Sequence, residues 1–345
     1  MGELSFIVDD PLSDAFIYAS KIGLNKQNTV FFAPGLTNLH QAEIFWDRTD
    51  YELRYITAST PAGVIIGLGD FTFGFATAAL HIKHIYPMKD SISNAYSFSH
   101  NYYDVAEYQW FVGYRYGKLR LGISNYNDFH YDNYYYDNLN NILVGINYSF
   151  NDRSALSFDC SFSPYNEDKY RIEFSTLIGG ETKIAFIGEA ADIDYCCSFN
   201  SLWSYTLGGG ITSKFSSFIL AGEIFYMPSA LEYRDKNPDS YRREINHNWE
   251  FKLGINYFIY NNFNISAGIN YLVENRQLEY QDPIDERVKD YSYSPGITAG
   301  LNYKLYNFNF KYIFVHHTYE PLLSDTDIKY KGLTNSHFLL ISYDF

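Results

Sequence analysis

His337-Phe338-Leu339-Leu340-Ile341-Ser342-Tyr343-Asp344-Phe345 has a period of two. Phe345, Tyr343, Ile341 and Leu339 share one face, with Asp344 and Ser342 on the other. The pattern is that of a β-strand, and it runs to the last residue. An open strand ending on an exposed aromatic is an aggregation edge in water, but it is harmless when paired with the first strand of a closed barrel. The stretch therefore predicts a sheet that closes on itself.

Working back from this end, the same period holds from Gln41 onward. It predicts about sixteen strands, with fourteen as the alternative because the first pair, Ala42 to Asp47 and Tyr51 to Ser59, is short. The connections alternate in length. Tight ones such as Gly117-Lys118, Gly179-Gly180-Glu181 and Tyr306-Asn307 are separated by long polar stretches at 83–107, 127–141, 191–201, 228–248, 274–296 and 316–336. Short turns on one side and long loops on the other are the sidedness of a transmembrane antiparallel up-and-down β-barrel, with the short side periplasmic. A soluble β-sandwich also alternates, but it does not call for this loop asymmetry or this aromatic load.

Composition agrees. Tyr 35 and Phe 28 bring aromatics to 19% of 345 residues, while charged residues also stand at 19%. No apolar run approaches the roughly 20 residues of a membrane helix. The mean hydropathy of -0.26 suits a barrel that is apolar only at alternate positions. A net charge of -14 makes nucleic acid an unsuitable partner. Met1-Gly2-Glu3-Leu4 lacks a basic start and an apolar run, so the chain is expected to be a mature form with an added start, or one recorded without its leader.

Alternation also assigns faces. In Trp249-Glu250-Phe251-Lys252-Leu253-Gly254-Ile255-Asn256-Tyr257 the odd positions are apolar and the even ones polar or glycine. Extended along the chain, this predicts Arg115, Arg120, Arg171, Glu173, Glu250 and Lys252 as lumen-facing charges, with Asp159 and Glu223 among others. Both signs on neighbouring strands point to pairing across the wall, and the functional alternative is a charged constriction. Gly145 to Tyr148, Gly254 to Tyr257, Gly268 to Tyr271 and Gly300 to Tyr303 repeat a Gly-apolar-Asn-Tyr unit, with Tyr expected in an interfacial girdle and Gly and Asn in the lumen.

Motifs for chemistry are absent. There is no Gly-x-Ser-x-Gly, no P-loop and no zinc spacing around Cys160, Cys196 and Cys197. His316-His317 alternate to opposite faces and cannot easily share an ion, and Asp128, Asp132 and Asp137 lack EF-hand spacing. The expectation is a non-enzyme with no metal and no cofactor.

The first forty residues do not alternate. Pro11 to Gly23 predicts a short helix, and Thr29-Val30-Phe31-Phe32-Ala33-Pro34-Gly35-Leu36 an apolar turn. So apolar a segment before a barrel is most simply packed inside it. The expected organisation is a plug over 1–40 and a barrel over 41–345.

Two resemblances follow. Leu339, Ile341, Tyr343 and Phe345 resemble the C-terminal signal read by the barrel-assembly machinery of bacterial outer membranes. Asp14 to Gly23, followed by Thr29 to Leu36, resembles the start of FadL-type hydrophobic-compound transporters and the PorV/PorQ-like barrels, although Ala33 and Gly35 stand where that pattern has Asn and Ala. The resemblance implies a multi-pass barrel in outer-membrane lipid, an N-terminal hatch, and passive uptake of small, fatty-acid-like hydrophobic molecules with lateral release through a gap in the wall. Phe16, Tyr18, Ile22, Phe31, Phe32, Pro34 and Leu36 are the hatch residues expected to meet such a ligand. The alternatives are a scaffold or secretion-associated barrel gripping a protein partner through its long loops, and a general diffusion porin.

Overall fold

The computed structural model describes residues 17–22, 28–45, 48–89, 96–131, 138–162, 167–195, 200–234, 241–281, 287–323 and 328–345. The wall begins with β1 (Thr29–Phe32), β2 (Gly35–Phe45), β3 (Arg48–Ser59), β4 (Ala62–Leu68), β5 (Phe71–Lys89) and β6 (Tyr96–Tyr116). Next come β7 (Leu119–Tyr131), β8 (Asn138–Ser149), β9 (Ser154–Phe162), β10 (Glu167–Ile178), β11 (Thr182–Tyr195) and β12 (Asn200–Lys214). It ends with β13 (Phe218–Arg234), β14 (Tyr241–Tyr260), β15 (Phe263–Gln281), β16 (Arg287–Leu305), β17 (Phe308–Leu323) and β18 (Ile328–Asp344).

All these segments belong to one antiparallel sheet, and β18 closes it by pairing Asp344 with Thr29 of β1 and Phe338 with Gly35 of β2. Phe32 lies opposite Ala62 and Gly35 opposite Ser59, so β1 with β2 and β3 with β4 keep one register across Ala33-Pro34 and Thr60-Pro61. Each pair is a single wall strand. Eighteen segments less two such joins give a closed barrel of sixteen strands.

Alternation dictates the two faces. Trp249, Phe251, Leu253, Ile255 and Tyr257 are exposed on the outside of β14, while Glu250, Lys252 and Gly254 turn inward. Aromatics gather towards the tight-turn rim, where Phe215 stacks on Phe218 and Phe308 packs on Tyr343. A further set, including Tyr226 on Trp249, stands higher. This is the pair of girdles that a bilayer selects. An arginine at Leu253, 57% exposed on the lipid side, is expected to cost about 2–4 kcal/mol if it lies near the midplane. Unfolding in lipid vesicles checks this, with Lys252→Leu on the opposite face as the contrasting variant.

The tight turns follow their residues. Gly179 and Gly180, in the three-residue turn between Ile178 and Thr182, have φ of 66° and 86°, values that glycine adopts without cost. Inside, rings lie flat across glycine gaps. A Cβ on Gly74 would strike the Phe111 ring, one on Gly208 the Phe225 ring and one on Gly35 the Phe338 ring.

Two boundaries differ from expectation. Residues 29–40, placed in the plug by the sequence, contribute to the wall as β1 and β2. Their period was hidden because both faces are apolar: Val30, Phe32 and Leu36 face lipid while Phe31 packs inward against Gly63. The long connections are also largely strand. β5 continues to Lys89, β6 starts at Tyr96, and β14 starts at Tyr241. Beyond the bilayer both faces are wet, so the hydropathy period fades while the hydrogen-bonded ladder continues.

Candidate functional site

The inner faces of β6, β7 and β8 carry glycine at one level, with Gly113, Gly122 and Gly145 successive partners across the ladders. Lacking side chains, the three form a shallow saddle that holds residues 19–22. A Cβ on Gly113 would strike the Ile22 side chain, one on Gly122 the Ala19 carbonyl, and one on Gly145 the Ser20 backbone nitrogen. Backbone can press this closely on a wall only where Cβ atoms are missing. The seated segment is a 3-10 turn, Ala19–Lys21. The Lys21 N–H donates to the Tyr18 carbonyl at 3.0 Å, and the Ile22 N–H donates to the Ala19 carbonyl at 3.2 Å. Ala19 and Ile22 are buried with Ile65 and Phe111, and Leu143 packs against them.

The same row of the wall then becomes charged. Asp159 lies across from Gly145, and Arg171 across from Asp159. Asp159 grips the turn with both oxygens: the Ser20 N–H donates to Oδ1 at 2.7 Å and the Ser20 hydroxyl to Oδ2 at 2.6 Å. Lys21 Nζ stands 3.5 Å from Glu173 Oε2, the oxygen that also accepts from Arg171 Nη2 at 2.8 Å. The Arg171 guanidinium lies 3.5 Å from the centre of the Tyr18 ring, a cation–π contact.

Lys21, Arg171 and Glu173 are each 4% exposed and Asp159 7%, so two cations and two carboxylates are withdrawn from water together. Such a group holds only while complete. Arg171 Nε and Nη1 have no hydrogen-bond partner among the described residues, and each buried donor left so costs about 1–3 kcal/mol. The seat is thus closely fitted, yet docking leaves part of Arg171 unsatisfied.

The other expected lumen charges also lie on the inner face. Arg115 and Arg120 oppose each other, and Arg120 Nη1 donates to Asn147 Oδ1 at 3.1 Å. On the far wall Lys252 is 3.3 Å from Glu250 and 5.3 Å from the Phe225 ring. Phe225 there joins Ala185, Ile187 and Ala221 in a second buried apolar cluster.

A second feature lies in the wall. Pro34 and Pro61 lack N–H donors, so each removes one ladder bond. What remains is one-sided: the Leu339 N–H donates to the Pro34 carbonyl at 2.9 Å, and the Ala33 N–H donates to the Pro61 carbonyl at 2.7 Å. Both seams flanking Ala33-Pro34 are therefore thinned at one height.

Of the residues expected to meet a ligand, Tyr18 and Ile22 lie in the seat and Phe31 faces inward. Pro34 stands at the wall interruption, with Phe32 and Leu36 exposed on the outer face beside it. Phe16, Cys196, Cys197, Asp132 and Asp137 lie outside the described residues. Sequence reasoning missed Ser20 and Lys21 as anchors and the glycine saddle as their seat. The available signal was an inward glycine on each of three consecutive strands.

No protein-family model and no curated protein sequence matches the chain. Solved structures do. A mutant of the TodX monoaromatic hydrocarbon channel is 13% identical, with a TM-score of 0.56 over 96% of this chain and 94% of that one. The toluene transporter TodX of Pseudomonas putida is 9% identical, with a TM-score of 0.52 over 96% of this chain and 93% of that one. A FadL homologue of Pseudomonas aeruginosa is also 9% identical, with a TM-score of 0.52 over 100% and 96% of the two chains. Across nearly its whole length the chain thus resembles in fold the barrels of hydrophobic-compound transporters.

Proposed function

We propose that the protein is a bacterial outer-membrane channel for small hydrophobic molecules, in which the segment containing residues 18–22 is a hatch. The observation that carries this reading is the seat itself, a glycine saddle and a buried charge cluster fitted to a short segment of the same chain. A barrel stabilised only by its wall has no need for such a fitting. The likeness in fold to a toluene transporter and a monoaromatic hydrocarbon channel supports it.

The path we propose runs from the lumen past Phe31, through the thinned wall at Pro34 and Pro61, and out between Phe32 and Leu36 into lipid. Uptake of toluene into proteoliposomes is the direct test. The expected result is protein-dependent uptake with a low resting ion conductance, whereas a large steady conductance without toluene uptake would mark a diffusion porin. Restoring the missing donors with Pro34→Ala and Pro61→Ala is expected to add about 1 kcal/mol per ladder bond and to slow release into lipid several-fold. Resting conductance in planar bilayers should not change.

A scaffold role has one observation in its favour. β5, β6 and β14, at 19, 21 and 20 residues, are each far longer than the roughly 9–11 residues that cross a bilayer, so they form a raised collar. Retention of a defined outer-membrane protein by the purified barrel would support this role.

A further inference from the structure

The seat makes a selection that a hydrophobic pore alone would not. The hatch meets Asp159 and Glu173 with donors: the Ser20 N–H, the Ser20 hydroxyl and the Lys21 ammonium. The wall answers with acceptors. Around the seat stand Asp159, Glu173 and Glu189, the last directly across from Arg171. The wall cation in contact with the hatch is Arg171, against the Tyr18 ring. The two carboxylates that touch the docked hatch, Asp159 and Glu173, stand against one wall cation that touches it, Arg171, and leave one negative charge, which Lys21 neutralises. The vacated seat is therefore short of a cation and of two hydrogen-bond donors, and it has a flat glycine floor on which an unbranched chain can lie.

We propose that the seat beneath the hatch is a binding site for the protonated amine of a cationic amphiphile, which replaces Ser20 and Lys21 at Asp159 and Glu173. Resting on the hatch reading, this names the substrate class of the same site. A carboxylate entering there meets three carboxylates already in place. Arg171, with Nη2 held by Glu173, offers a carboxylate only Nε and Nη1, against the charges of Asp159, Glu173 and Glu189.

The test uses the full chain in nanodiscs and three eight-carbon probes, n-octylammonium, octanoate and octanol. Hydrogen exchange of the Ser20 to Ile22 amides reads hatch release. The expected result is that octylammonium accelerates exchange at least about tenfold more than octanoate at equal concentration, a difference of about 1.4 kcal/mol. Octanol should fall between them. Glu189→Gln, which leaves the contacts of Ser20 and Lys21 to Asp159 and Glu173 in place, should narrow the difference, and Glu173→Gln should narrow it further. Calorimetric binding of octylammonium gives an independent readout if Glu173→Gln releases the hatch unaided. Equal acceleration by the ammonium and the carboxylate would overturn the proposal, as would an ammonium preference untouched by both substitutions. In either case toluene uptake, measured separately, decides whether the channel reading survives.

Discussion

Asp159→Ala is expected to empty the seat. The substitution removes both acceptors of Ser20 and leaves the buried Lys21 and Arg171 on the carboxylate of Glu173. Deleting one partner from a buried, hydrogen-bonded charge group costs about 3–5 kcal/mol. That is a shift of roughly a hundred- to several-thousand-fold in the docking equilibrium. Because Arg171 already has two donors unmade in the docked state, little compensating affinity is expected. Amide exchange at Ser20 to Ile22 should accelerate by a factor of that order, and the resting conductance of the barrel should rise. Asp159→Asn, which keeps one acceptor for the Ser20 N–H, should lie between the variant and the parent. Unchanged exchange in Asp159→Ala would show that the seat does not hold the segment.

The glycine saddle is expected to be equally intolerant. A Cβ at Gly122 falls on the Ala19 carbonyl and one at Gly145 on the Ser20 nitrogen, both backbone atoms that cannot rotate aside. Gly122→Leu should therefore expel the turn while the barrel folds, because the added side chain points into the lumen and leaves the ladder untouched. Heat-modifiable migration checks folding, and planar-bilayer conductance checks the seat. Gly188→Ala is the control: its Cβ would meet only the Ile172 and Leu207 side chains, at 3.4 Å and 3.9 Å, so it should behave as the parent. Combining Gly122→Leu with Asp159→Ala should add little, since both remove the same docked state. Full additivity would falsify a shared seat.

The barrel was legible in the sequence because lipid enforces its pattern. Wherever one face meets hydrocarbon and the other water, as along Trp249 to Tyr257, side chains must alternate, and that mark runs from Gln41 onward. Strand ends were legible only where a turn demanded special residues, as at Gly179-Gly180. Where the constraint lapses, so does the signal. At Val30 to Leu36 both faces are apolar, and above the bilayer both are wet. The inward direction of Asp159, Arg171 and Glu173 followed from the period, but their convergence did not. It depends on which strands lie beside β9 and β10 and on a turn well over a hundred residues away, the Ser20 to Asp159 separation being 139. Ser20 and Lys21 carry no local pattern that marks them as anchors. Their role arises from the shape of the wall they meet.

The seam where β18 meets β1 and β2 has a kinetic consequence. It joins the two ends of the polypeptide, with the Thr29 hydroxyl bonded to Asp344 across 315 positions. Contacts so distant in sequence carry the largest loop-closure entropy and form late. Pro34 has also removed one of that seam's bonds. The joint that closes the cylinder is thus also one that lacks a bond, and it lies beside the route we propose for departing cargo.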